Sequence, residues 1–227
     1  FAIMSCGSTP KASALKTNAQ QTIFDDWQGC SVGAEIPQWV VSALSAATED
    51  ELRQAVGKSD DYRVWMLEST GGDLDALKML TNNFEIQGHV TAAISQNVAR
   101  VADRVQTAEG KAENAKMDQT AKVVDMVTTN LTLNGLERVN TYWTKYHRVD
   151  AKGNTVAGSE KYSYIVVMAM KSQHFNQQLD AALNKVKNNT AEDEYLRHLA
   201  DVTIARLREP AMLSGTVRAD VTIGGSD

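Results

Sequence analysis

Apolar positions along this chain recur with two different periods, and each period marks a different kind of element. From Asp73 onward, Leu74, Leu77, Leu80 and Phe84 fall three or four apart, the spacing of one helix face. Gly88 interrupts this stripe. Val90, Ile94, Val98, Val101 and Val105 then resume it, as a second helix or as the first one continued. A polar break, "TAEGKAENAK", surrounds Gly110, and Val124, Val127 and Leu131 predict a further helix. Phe175, Leu179, Leu183 and Val186 line another, and a last one runs from about Ala191 to Leu207 and stops at Pro210.

Elsewhere the pattern is that of strands. "YRVWMLES" reads as a buried strand ended by Thr70-Gly71-Gly72, with Asp73 or Thr70 capping the helix that follows. "LERVNTYWTKYHRV" and "KYSYIVVMAMK" are rich in Val, Ile, Tyr and Trp, and they flank the turn-rich "DAKGNTVAGSE". That combination predicts a hairpin with a long loop. Near the end, "TVRADVTI" alternates, with Val217, Ala219, Val221 and Ile223 on one face. Such a strand completes the edge of its own sheet or adds to a neighbouring subunit. In "EIPQWVVSAL", Pro37 fixes a turn ahead of a short helix carrying Trp39, Val40, Val41 and Leu44. Thr48, with Glu51 three residues on, has the form of a capping box. Trp39 and Trp143 sit among β-branched or aromatic neighbours and are expected to be buried scaffold residues.

Together these elements predict an α+β fold, a small and mainly antiparallel sheet packed with several helices. Residues 1–21 read as a signal-peptide remnant and tether, 22–210 as the α+β domain, and 211–227 as a C-terminal strand tail. With 227 residues, 43% of them hydrophobic, the chain can bury a real core. A net charge of −5 and the lack of basic runs disfavour a nucleic-acid surface, which needs clustered Lys and Arg. No apolar run approaches the ~20 residues of a membrane-spanning helix.

The opening stretch changes the picture. Ile3-Met4-Ser5-Cys6 resembles the end of a bacterial lipoprotein signal peptide, with an apolar residue three before the cysteine and a small one directly before it. In that pattern the cysteine, here Cys6, carries the lipid. Gly7 to Lys16 are small or polar and include a proline, as a tether requires. Cys30 reads as a small buried residue, with a disulfide to Cys6 left open.

The order of these segments carries a wider resemblance. "IPQWV", a strand, a Gly-rich turn, "LDALKML" opening a long helix, then "LNGLERVNTYW" and "KYSYIVVMAMK" resemble the twenty-kilodalton outer-membrane lipoprotein family and the flagellar basal-disk lipoproteins similar to it. The likeness spans residues 35–172, with Pro37, Trp39, Gly135, Trp143, Tyr162 and Tyr164 at the matching positions. This chain departs from it by two more helices and a tail after Lys171. The resemblance implies lipid anchoring in the bacterial outer membrane from the periplasmic side and structural assembly with itself or with envelope proteins. It implies no catalysis and no cofactor.

Candidate chemistry is sparse. His89, His147, His174 and His198 form no HExxH or similar pair on one helix face. His147 and His174 are close enough in the hairpin's neighbourhood to approach each other, although a surface or core role is the first reading for both. "STGGD" lacks the Lys-Ser/Thr of a P-loop, and no serine lies in GxSxG. Carboxylates in "TEDE", "DLD" and "AEDE" stand near helix starts, where they complement the helix dipole. No catalytic residue or metal site is expected. Tyr142, Trp143, Tyr146, Tyr162 and Tyr164 make the one dense aromatic set. Packing within the sheet is its first reading. The sharper alternative makes Tyr142, Tyr146, Tyr162 and Tyr164 a ligand or partner surface, such as a sugar or peptidoglycan platform on a periplasmic binding domain.

Overall fold

The computed structural model describes residues 21–81, 83–110, 113–189, 194–208 and 217–220. Its centre is the hairpin of β3 (Glu137–Val149) and β4 (Lys161–Lys171), which are paired antiparallel from Glu137 opposite Ala169 to Tyr146 opposite Lys161. β1 (Gln21–Trp27) joins β3 antiparallel on the outside, and β2 (Tyr62–Gly71) lies antiparallel along β4. β5 (Val217–Asp220) closes the order β1-β3-β4-β2-β5 by running parallel to β2, with Leu67 opposite Val217. The fold is α+β, with a mainly antiparallel sheet, and the tail strand takes the edge of its own sheet.

Helices cover both sides. On one side, α1 (Gln38–Ser45) and α2 (Glu49–Ala55) set Val40, Ala43 and Leu52 against Val64, Met66, Ile165, Val167 and Ala169. On the other, α3 (Leu74–Leu80), α4 (Asn83–Ala108), α5 (Glu113–Asn130), α6 (Ser172–Asn189) and α7 (Glu194–Leu207) build the larger core. There Leu77, Phe175 and Leu179 meet Leu67, Val166, Met168 and Met170. β4 is therefore buried on both faces, which is why "YIVVMAM" is an unbroken apolar run rather than an alternating one.

The capping box at α2 is formed. The Thr48 hydroxyl accepts from Glu51 N at 3.2 Å, while Glu51 Oε2 accepts from Thr48 N at 3.2 Å. Asp73 is the cap of α3 and accepts from Asp75 N and Ala76 N.

The helix break falls elsewhere than Gly88. α3 ends at Leu80, and α4, which starts at Asn83, runs straight through Gly88. A glycine inside an exposed helix face costs only about 1 kcal/mol. The α3 terminus, by contrast, is held from outside, since Arg138 on β3 donates to the Thr81 carbonyl at 2.5 Å. The buried row of α4 is Ile86, Val90, Ile94, Val98, Ala102 and Gln106, not Val101 and Val105. On α5, Val123 and Val127 are buried, while Val124 is only partly so. Gln106 is fully buried and donates to Thr120 Oγ1 at 2.7 Å, tying α4 to α5. Trp39 and Trp143 are half-buried rather than buried, and they pack on opposite sides of the sheet.

Candidate functional site

Strand alternation decides where the aromatic set goes. Residues directly opposite in an antiparallel ladder share a face. Tyr142 pairs with Ile165 and Tyr146 with Phe24, so both look toward α1 and α2. Tyr164 pairs with Trp143, and Tyr162 with Lys145, on the face of the large core. The sheet thus splits the four tyrosines into two pairs on opposite faces, and they do not make one platform.

Tyr142 and Tyr164 are buried, at 4% and 7% exposure. The Tyr142 hydroxyl donates to the Gln28 carbonyl at 3.0 Å, and its ring meets Trp39 edge-on at 6.1 Å. Burial, and then repulsion from the Cys30 sulfur once it is ionised, push its pKa up to about 12. Cys30 itself is buried, as the sequence suggested. Cys6 lies outside the described residues.

Trp143 and Tyr162 differ from the buried pair. The helices on their face contact β2 and β4, and burial falls off toward β3. Val166, Met168 and Met170 are at most 3% exposed, while Trp143, Lys145 and His147 on β3 stay half-exposed. The Trp143 and Tyr162 rings lie 6.2 Å apart at 59°. Lys145 Nζ sits 5.7 Å from the Tyr162 ring centre and is ion-paired with Glu160. The hydrogen bond between them raises the Lys145 pKa and lowers that of Glu160. One step further along β3, His147 Nδ1 lies 2.9 Å from both carboxylate oxygens of Asp25. A register shift between Phe24 and Asp26 in β1 puts Asp25 there.

Asp25 and the whole of β1 were missed in the sequence. Their only signal was Ile23, Phe24 and Trp27 in a short run broken by two aspartates. Of the predicted residues, Tyr162 belongs to this half-exposed patch and Tyr146 to the opposite face.

The histidines do not gather. The ladder puts His147 at the loop end of the hairpin and His174 just past Lys171 at the other end, on the order of 30 Å away by strand rise. His174 instead stands beside Gly135, whose φ of 87° only glycine adopts readily. His198 lies 3.2 Å from Glu109, which also accepts from the Tyr195 hydroxyl at 2.7 Å, so these three join the start of α7 to the end of α4. Among the described residues no three His, Cys, Asp or Glu side chains are grouped to hold a metal. A depression of about 500 Å³ between α1 and α2 is lined by Ser42, Ser45, Ala46, Glu51, Gln54 and Ala55, and Glu51 is already committed to the capping box.

A scan of protein-family models finds no match, and no curated protein or solved structure is significantly similar to the chain. The functional reading therefore rests on the residues and their geometry.

Proposed function

We propose that this chain is a bacterial cell-envelope lipoprotein, lipidated at Cys6 and held at the periplasmic face of the outer membrane, where it serves as a structural or adaptor module rather than an enzyme. The observation that carries this reading is the Ile3–Cys6 pattern placed a short tether ahead of a folded body whose first strand starts at Gln21. Residues 7–20, fully extended, reach at most about 50 Å. Gln21 pairs with Val149, so the described body begins at the loop end of the hairpin, which supports attachment from that end. A single acyl chain binds membranes only marginally, so a stable anchor needs the several chains of a mature lipoprotein.

A second reading, a binding domain for a small ligand or glycan, is favoured by the half-exposed Trp143 and Tyr162 beside paired charges.

The anchoring is tested in a bacterial host that processes lipoproteins, by fractionation and by incorporation of labelled palmitate. Wild-type chain should take up label and sediment with membranes, and Cys6→Ala should do neither. Equal membrane association of the two would sink the proposal.

A further inference from the structure

We infer that the half-exposed face around Trp143 and Tyr162 binds an uncharged glycan. This deepens the binding reading above and is tested on soluble protein, so its failure leaves the Cys6 test untouched, and the reverse.

Three observations converge on this class of ligand. The first is where the helical layer stops. It seals the face over β4 and leaves Trp143, Lys145 and His147 in a row along β3. Alternate residues of a strand stand roughly 7 Å apart, so the row is about 13 Å long, room for more than one sugar ring.

The second is the aromatic pair. Trp143 and Tyr162 hold their rings at 59° to each other, and both stay partly open to water beside the large core. An aromatic ring has an electron-rich face. The C–H groups on one side of a pyranose carry the matching partial positive charge, and its hydroxyls stay at the rim.

The third is the charge pattern, which selects against the other ligand classes. Lys145 is paired with Glu160, and His147 with Asp25, at the border of the rings. The charges answer one another locally. A phosphate, a nucleic acid or an anionic peptide meets the Glu160 and Asp25 carboxylates beside Lys145 and His147, on a chain whose net charge is −5. An apolar peptide or lipid tail would have to strip water from the Lys145–Glu160 ion pair and from the His147–Asp25 contact without replacing their hydrogen bonds. A polyol needs neither. Its hydroxyls donate to the Asp25 and Glu160 oxygens and accept from the Lys145 ammonium, while no net charge has to be matched.

The test uses the purified full chain titrated with chitotetraose, cellotetraose and maltotetraose, and with a sulfated oligosaccharide as control. Calorimetry gives affinity, and amide and indole N–H shifts in NMR give location. The expected result is saturable binding of at least one neutral oligosaccharide, with the Trp143 indole among the shifted signals. Affinity should stay constant between about 0.05 and 0.5 M salt, because no net charge is exchanged. Trp143→Ala should weaken binding at least about tenfold, in line with the loss of a central aromatic anchor. Trp143 also packs on the core, so Lys145→Ala, outside that core, serves as the second variant and should weaken binding several-fold while keeping a cooperative fold. Three outcomes overturn the inference. They are no saturable binding to any neutral oligosaccharide, binding in both variants as strong as in wild type, and a preference for the sulfated control that collapses with salt.

Discussion

Glu49 Oε1 lies 2.7 Å from Arg63 Nε, and both side chains are almost wholly withdrawn from water, at 3% and 10% exposure. The same oxygen accepts from the Val64 amide at 3.1 Å. β5 covers β2 only from Leu67 to Thr70, so without Glu49 the Val64 amide would stand at a bare sheet edge. The Arg63 guanidinium continues to the far side, 4.8 Å from the Phe175 ring centre. One ion pair thus links α2, the edge of β2 and α6 across the two cores.

Removing one member of such a pair leaves the other buried beside fewer partners. Glu49→Ala should destabilise the fold by about 3–5 kcal/mol in urea unfolding. Glu49→Gln keeps an acceptor for Val64 and should lose less. A loss below about 1 kcal/mol for Glu49→Ala would show that the pair adds nothing to the edge.

Tyr142 should ionise late. Its pKa is raised to about 12, and the group is neutral in the folded state well past the ordinary phenol value. A raised folded pKa means the stabilisation is fully present below the unfolded value near 10 and is lost as pH climbs through the folded one. Tyr195 is raised to about 12 as well, by burial and by its hydrogen bond to Glu109. Phenolate absorbance gained near pH 12 should therefore be reduced in Tyr142→Phe and again in Tyr195→Phe. An unchanged gain near pH 12 in Tyr142→Phe would contradict its buried placement.

Acid sensitivity has the opposite sign. Hydrogen bonds from Lys171, from the Asn154 amide and from Lys145 lower the pKa values of Asp61, Asp150 and Glu160 respectively. A lowered folded pKa gives stability that is present above the unfolded value of about 4 and is lost as pH falls through the folded one. All three groups sit at the surface, so the effect is modest and salt-sensitive. The triple variant Asp61→Asn, Asp150→Asn, Glu160→Gln should flatten thermal stability between about pH 5 and 2 relative to wild type. An unchanged acid limb would place its origin in other carboxylates.

The tail strand can be tested by hydrogen exchange. Deleting residues 214–227 removes β5 and bares the outer edge of β2 from Leu67 to Thr70. Exchange should accelerate in that stretch and leave the β3–β4 ladder protected, with a cooperative but less stable monomer. Unchanged exchange at Leu67–Thr70 would show that β5 contributes no pairing.

The hairpin, both later helices and the capping box were legible because their signals are local. Thr48 and Glu51 are three residues apart, and β4 announces its double burial by having no polar alternation. What was not legible depends on distant partners. β1 is a strand because β3 is beside it, and its "DD" hides the pattern that Ile23 and Trp27 begin. α3 stops where Arg138 reaches in from β3, a residue more than fifty positions away, and not at the glycine that looks like a breaker. The tyrosines were legible as a dense group, but their division between faces turns on register, which density does not carry. Cys6, the residue proposed to carry a lipid, lies outside the described residues.

The placement of β1 also has a mechanical side. Its first residue stands at the loop end of the hairpin, and its bonds to β3 lie across the strand axis. A force drawn through the backbone at Gln21 along that axis therefore loads every rung from Gln21–Val149 to Trp27–Thr144 at once, in shear, instead of peeling them one by one. β1 touches the sheet on one side only, so under such a load it parts before the rest. The β3–β4–β2 ladder is left standing behind it, and β1 is the fuse of the sheet for any load applied at Gln21.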